Sequence, residues 1–335
     1  MAPKPERVGG EVDVTGGEEE EEDEWRFALV LDGHDSEVKS VGWSAGGNLL
    51  ATCGRDKSVW IWEEVGEDDY ETVAVLQEHE GDVKAVAWHP EEECVASGSY
   101  DDEVRLWREE VDDWGCCAVM RGDGGTVWGV CWEGVTPVVY GGEGDGDGEG
   151  RRTWLERREK AGPRLMSCSD DGGVRVWRKV PKERVQQSRL SIIKSTGGEE
   201  EWVLEAKLPA VHERSVYAVA WSARSGRVAS TGGDGAVVVY QEEWVDGEVE
   251  PLAAEAENGA TNGSQGGEAM VGVQEEVRQT PRWRIVAKVE AAHGVFEVNH
   301  VAWAKKPVKK GDSTTEEVII TTGDDGAVKA WGLDI

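Results

Sequence analysis

The chain has 335 residues, enough for one large domain, and its 68 acidic against 36 basic residues give a formal net charge of −32. A surface of that sign repels nucleic-acid backbones and anionic membranes, so neither is expected as a partner. No stretch approaches the roughly 18 uninterrupted apolar residues of a membrane span and the N-terminus lacks a signal-peptide core, so the expected compartment is the cytosol, with the nucleus as a further one.

Residues 1–24 are polar, end in the acidic run Glu18–Glu24, and are expected to be a disordered segment. From residue 25 onward one grammar recurs five times, over 25–62, 70–107, 114–177, 202–240 and 283–331. Each repeat opens with an aromatic residue and an alternating strand. A histidine follows nine or ten residues on, at His34, His79, His212 and His293, while Asp123 stands there in the third repeat. A second strand ends in Trp43, Trp88, Trp132, Trp221 or Trp303. A third precedes a tight turn with an aspartate: Asp56, Asp101, Asp171, Asp234 or Asp325. Six residues later a fourth strand closes on Trp62, Trp107, Trp177, Tyr240 or Trp331. The histidine-to-aspartate interval is 22 residues in repeats one, two and four, and 13 of the 17 tryptophans fall on repeated positions. The repeat therefore accounts for the tryptophan excess.

Short alternating strands, Gly/Asp-rich turns and a period near 44 residues specify four-stranded blades packed about an axis. The expected fold is all-β: a β-propeller with five recognisable four-stranded blades. Three insertions, 141–162, 180–201 and 244–281, are rich in Gly and charge and are expected to be exposed, disordered loops. Within the first, Arg151–Lys160 reads as a solvated charged loop in preference to a short helix or a basic contact. Each repeat supplies the outer strand of one blade and the three inner strands of the next, so the strand at Trp25–Leu31 is expected to complete the last blade.

The six cysteines, Cys53, Cys94, Cys116, Cys117, Cys131 and Cys168, show no zinc or iron spacing and read as small buried hydrophobes kept reduced. No metal or cofactor is expected. The repeated His and Asp invite a catalytic reading, but a structural device recurs in every blade and a single active site does not. No nucleophile–base pair or phosphate loop accompanies them, so no enzyme is expected.

These positions resemble those of WD repeats. The resemblance implies a hydrogen-bonded core of histidine, turn aspartate and closing tryptophan, with a Ser or Thr two residues before the aspartate. Ser99 and Ser169 match that hydroxyl position, whereas Gly54, Gly232 and Gly323 depart. The network is thus expected to be incomplete in every blade except the second. More specifically, LLATCGRDKSVWIWEE (49–64), VLQEHEGDVKAVAWHP (75–90), SGSYDDEVRLWREEVDDWGCCAV (97–119) and SCSDDGGVRVWR (167–178) are very similar to the cytosolic iron–sulfur protein assembly WD-repeat family, of fungal type. Relatives carry seven blades, which implies that this chain lacks the first two and forms an open arc or a strained ring.

The usable surface of such a fold surrounds the axis. It comprises the residue before each turn aspartate (Arg55, Tyr100, Asp170, Gly233, Asp324) and those near each inner-strand start (Glu37, Lys39, Asp82, Lys84, Thr126, Trp128, Ser215, Tyr217, Glu297, Asn299). Arg55, Lys39, Lys84, Tyr100, Trp128 and Tyr217 form a basic-aromatic set suited to a partner segment carrying carboxylates. The resemblance implies a non-catalytic scaffold, one subunit of a cytosolic iron–sulfur targeting complex that docks apoproteins needing a [4Fe–4S] cluster. It also carries over a functional arginine at Arg55. Some relatives have an L-Y-R tripeptide where this chain has Leu106-Trp107-Arg108. The competing readings are a generic WD-repeat adaptor in chromatin, trafficking or ubiquitin ligation, an enzyme in the propeller mouth, or an inert fragment.

Overall fold

Alternation of apolar and polar residues, broken by turns such as Gly54-Arg55-Asp56-Lys57, forms antiparallel strands throughout the described residues, which are 27–66, 69–110, 113–141, 148–181, 200–244, 282–306 and 317–333 of this computed structural model. Blade 1 is the sheet β1 (Val38–Trp43), β2 (Leu49–Gly54), β3 (Val59–Gly66) and β4 (Asp69–Leu76). Blade 2 is β5 (Val83–Trp88), β6 (Cys94–Ser99), β7 (Glu103–Glu109) and β8 (Trp114–Arg121). Blade 3 contains β9 (Val127–Trp132), the helix α1 (Gly148–Ala161), β10 (Leu165–Ser169), β11 (Val174–Lys179) and β12 (Trp202–Lys207). Blade 4 is β13 (Val216–Trp221), β14 (Val228–Gly232), β15 (Val237–Glu243) and β16 (Arg282–Val289). Blade 5 shows three strands, β17 (Val298–Lys305), β18 (Glu317–Gly323) and β19 (Val328–Gly332). The fold is a five-bladed propeller, and each of blades 1 to 4 joins three strands of one repeat to the first strand of the next.

The second strand of blades 1 to 4 is buried at every position, and in blades 2 to 4 the sheet is covered on both faces by neighbouring blades. Four apolar clusters fill the spaces between successive blades. Ile61 and Leu76 of blade 1 meet Val86 and Trp88 of blade 2. Leu106 and Met120 meet Val130 and Trp132. Val176 and Leu208 meet Val219 and Trp221. Val237 and Val239 meet Val298 and Val301. Among the described residues no fifth cluster joins blade 5 to blade 1. Trp43 on β1 is 50% exposed and Val328 on β19 is 71% exposed.

The closing tryptophans of the inner strands also stitch blades together. The Trp88 indole donates to the Gly42 carbonyl (2.8 Å), Trp132 to Ala87 (2.9 Å) and Trp303 to Ala220 (3.1 Å). In each case the acceptor directly precedes the equivalent tryptophan of the preceding blade.

Two expectations are corrected. Residues 27–34 form no strand, so no fourth strand from Trp25–Leu31 completes blade 5 among the described residues. Phe27 and Val30 bury no apolar face, and an extended segment without a ladder partner loses chain entropy with no pairing in return. The insertion at 141–162 contains α1, and Arg158 on it is buried, so Arg151–Lys160 is not a solvated loop. Its cause is long-range: Arg158 meets Glu133 at the end of β9. The N-terminal segment 1–24 and most of the insertions at 180–201 and 244–281 lie outside the described residues.

Candidate functional site

The repeated histidines, aspartates and tryptophans meet inside each blade. His34 lies 2.7 Å from Asp56, His79 2.8 Å from Asp101, His212 3.0 Å from Asp234 and His293 2.7 Å from Asp325, each through Nδ1. The other ring nitrogen meets a hydroxyl at 2.7–2.8 Å: Thr52, Ser97, Ser230 or Thr321. The closing tryptophans Trp62, Trp107 and Trp331 donate to the same hydroxyls. The carboxylates accept amide hydrogens from the residue after the histidine and from the turn, as from Glu80 and Glu103 at Asp101. These carboxylates thus regain donors in place of water.

This geometry corrects the expected hydroxyl position. The hydroxyl that joins histidine to tryptophan lies four residues before the aspartate, and all five repeats have one there, Ser167 being the third. Ser99 instead bonds the Gly81 carbonyl, and Ser169 bonds Asp171 directly. At Gly54, Gly232 and Gly323 a loop carbonyl stands 2.2–2.7 Å from where a Cβ would be, which excludes a serine. The network is therefore complete in four repeats. In the third, Asp123 bonds Ser167 (3.0 Å), and Arg175 bridges Asp123 (3.0 Å) and Asp171. A guanidinium between two carboxylates does there what an imidazole does elsewhere.

Burial pushes the Asp101 carboxyl up, but the His79 bond and the Glu80 and Glu103 amides override it and hold it at about 2. A lowered carboxyl contributes stability that is complete above its unfolded value of about 4 and lost as pH falls toward the folded one. Acid unfolding followed by tryptophan fluorescence should therefore develop between about pH 4 and pH 2. Asp101→Asn should flatten that part of the curve; an unaltered slope would contradict the assignment.

The same local geometry builds a mouth. The first ladder pairs of every inner strand skip one residue, a β-bulge. The skipped residues are Lys39, Lys84, Trp128, Tyr217 and Asn299. A bulge re-aims the extra side chain away from the sheet face, here into the central opening. A second repeated feature fixes the residue before each turn aspartate. The amides of Arg55, Tyr100, Asp170, Gly233 and Asp324 bond the carbonyls of Glu37, Asp82, Thr126, Ser215 and Glu297. The six candidate partner residues consequently converge. Lys39, Lys84, Trp128 and Tyr217 line a cavity of about 690 Å3, and Lys39, Arg55, Lys84 and Tyr100 line an adjoining pocket of about 320 Å3.

Lys84 sits between aromatic faces, its ammonium 5.2 Å from the Trp128 ring and 5.8 Å from Tyr100. Trp128 meets Tyr217 edge-on at 5.3 Å and donates to Asp170 at 2.5 Å. Tyr217 donates to Glu297 at 2.9 Å, and burial followed by that bond pushes its phenol up. Lys39 and Lys84 pair with Glu37 and Asp82, and Arg55, 60% exposed, stays 3.9 Å from Glu37. The mouth carries Lys39, Arg55 and Lys84 on blades 1 and 2, Asp170 on blade 3, and Glu297 and Asp324 on blade 5. His300 on β17 also lines the cavity, and Arg214 pairs with Glu297, another lining residue, at 2.9 Å. Leu106 and Trp107 are fully buried, so the tripeptide Leu106-Trp107-Arg108 offers no accessible motif.

All six cysteines lie on strands as free thiols, and burial pushes that of Cys53 up to about 12. Among the described residues no group of His, Cys, Asp and Glu has the geometry of a metal site.

Blades held by a His–Asp–hydroxyl–Trp core and opening on a polar-aromatic mouth define a WD-repeat propeller. The WD domain, G-beta repeat family matches residues 25–63, 70–108 and 205–241. The chain is 57% identical over 322 residues to a probable cytosolic iron-sulfur protein assembly protein 1 of Aspergillus terreus, covering 92% of this chain and 71% of the relative. It is 54% identical to the protein of that name in Emericella nidulans (94% and 71% covered) and 50% identical to that in Penicillium rubens (95% and 71%). The chain belongs to the cytosolic iron–sulfur protein assembly protein 1 family.

Proposed function

We propose that this chain is a non-catalytic adaptor of the cytosolic iron–sulfur protein assembly machinery. It docks apoproteins at the propeller mouth for [4Fe–4S] insertion, as one subunit of a targeting complex, in the cytoplasm and also in the nucleus. The observation that carries the reading is the convergence of Lys39, Arg55, Lys84, Tyr100, Trp128 and Tyr217 on two adjoining pockets, in a chain whose relatives bear that name. Arginine, tyrosine and tryptophan anchor protein interfaces because they bury much area while keeping a polar handle. Lys84 between two rings is held in place before any partner arrives, which lowers the entropy lost on binding.

The test is recovery of a purified apo-form [4Fe–4S] helicase on immobilised chain, wild type against Arg55→Glu. Arg55 is exposed and makes no short ion pair, so the variant folds normally and reverses the sign of the basic half. Recovery should fall at least tenfold for a charged contact at an interface. Equal recovery rejects the site.

A further inference from the structure

The junction between blades 3 and 4 breaks the stitching rule of the other described junctions. By the register of the others, the Trp221 indole would donate to the Cys131 carbonyl; it donates instead to Gly226 within its own blade, at 3.1 Å. A buried ion cluster occupies the place of that bond. Arg164, 1% exposed, bonds Glu133 at the end of β9 (2.8 and 3.0 Å), Glu242 on β15 (2.5 and 2.8 Å) and Glu205 on β12 (2.9 Å). Its guanidinium lies 4.9 Å over Trp221 and 5.8 Å from Trp283, both of blade 4. Burial works against the charge, but Glu133, Glu242 and Glu205 prevail and keep Arg164 a cation.

The described parts of the insertion between Glu133 and Arg164, residues 134–141 and 148–163, form a strap that contacts this cluster and blade 4. Arg158 on α1 also bonds Glu133, and the Trp154 ring meets Trp244 at 6.2 Å. Tyr140 exchanges backbone bonds with Glu242 (3.0 Å) and Trp244 (2.6 Å), and its hydroxyl donates to Ser225 of blade 4 at 2.9 Å. The strap thus starts and ends in blade 3 and is fastened to blade 4.

The clamped strands are those that carry the aromatic pair of the mouth. Trp128 and Glu133 lie five residues apart along and just beyond β9, about 16 Å at strand rise. Tyr217 and Trp221 lie on β13 in the same sense. We propose that Arg164, with the strap over it, is a positioning residue for the mouth: it fixes the spacing of β9 and β13 at their far ends and so holds Trp128 against Tyr217. The proposal rests on the mouth being the docking site. Arginine suits the role because its planar fork binds several carboxylates in fixed directions.

The experiment compares wild type, Arg164→Met and Trp128→Ala in the whole chain, by amide hydrogen exchange and by recovery of the purified apo-form [4Fe–4S] helicase. Arg164→Met should raise exchange in β9 and β13 at least tenfold, leave β6 and β7 unchanged, and lower helicase recovery as far as Trp128→Ala does. Unchanged exchange in β9 and β13 overturns the proposal, as does faster exchange with full recovery when Trp128→Ala recovers little. Full recovery by Trp128→Ala and Arg164→Met alike, with faster exchange, removes the mouth as docking site and leaves the clamp. Should Arg164→Met not fold, Trp154→Ala, whose ring lies 6.0 Å from the guanidinium, gives the same readings at smaller amplitude.

Discussion

Trp107→Ala should destabilise the propeller by about 3–5 kcal/mol, the range for deleting a fully buried tryptophan. Trp107 is 0% exposed, donates to Ser97 at 2.8 Å and packs on the His79 ring at 5.9 Å. Removing it opens a cavity in the core of blade 2 and takes a donor from the hydroxyl that His79 also uses. Neither loss can relax, because β6 is covered on both faces. For a chain of this size the midpoint of thermal unfolding should fall by about 4–7 °C. The equivalent Trp331→Ala should cost about half as much, because Trp331 is only partly buried. Thermal scans of both variants check this; equal costs would mean that burial does not set the contribution of the repeated tryptophan.

The second large effect is expected at Arg175. This side chain bridges Asp123, whose side chain is 0% exposed, and Asp171. Burial pushes the Asp123 carboxyl up against the pull of Arg175, whereas at Asp171 the arginine bond outweighs burial and holds the carboxyl low. Arg175→Met leaves a buried carboxylate without its counter-charge and should cost about 3–5 kcal/mol. Adding Asp123→His should recover most of that. An imidazole at 123 would lie between Ser167 and Asp171, as His79 lies between Ser97 and Asp101. Chemical denaturation of the single and double variants gives the coupling energy. If the double variant is no more stable than Arg175→Met, the third repeat is not an exchange of arginine–aspartate for histidine.

Both predictions turn on what could and could not be seen in the chain. The repeat was legible because each position has a local reason. Alternation makes a strand, Asp makes a turn, and Trp closes the strand on a hydroxyl ten residues before it, as Trp107 does on Ser97. The six mouth residues were legible by analogy between repeats, and the bulge shared by all five inner strands brings four of them, Lys39, Lys84, Trp128 and Tyr217, into one cavity. The hydroxyl was misplaced by two residues because Ser99 and Ser169 stand beside the turn, while the hydroxyl that matters is chosen by which face of the strand meets the histidine. Helix α1 was missed because its composition, GEGRRTWLERREKA, is that of a charged loop.

The sequence by itself determined the five-fold grammar, the all-β class and the six side chains of the mouth, since all depend on contacts within a repeat or on its spacing. Only the tertiary structure decided that Arg175 replaces a histidine, that Arg158 and Arg164 are buried, and that apolar clusters fill four junctions between blades. The physical reason is separation along the chain. Arg164 meets Glu242 across 78 residues, and a buried charge is tolerable only beside partners that the fold alone brings together.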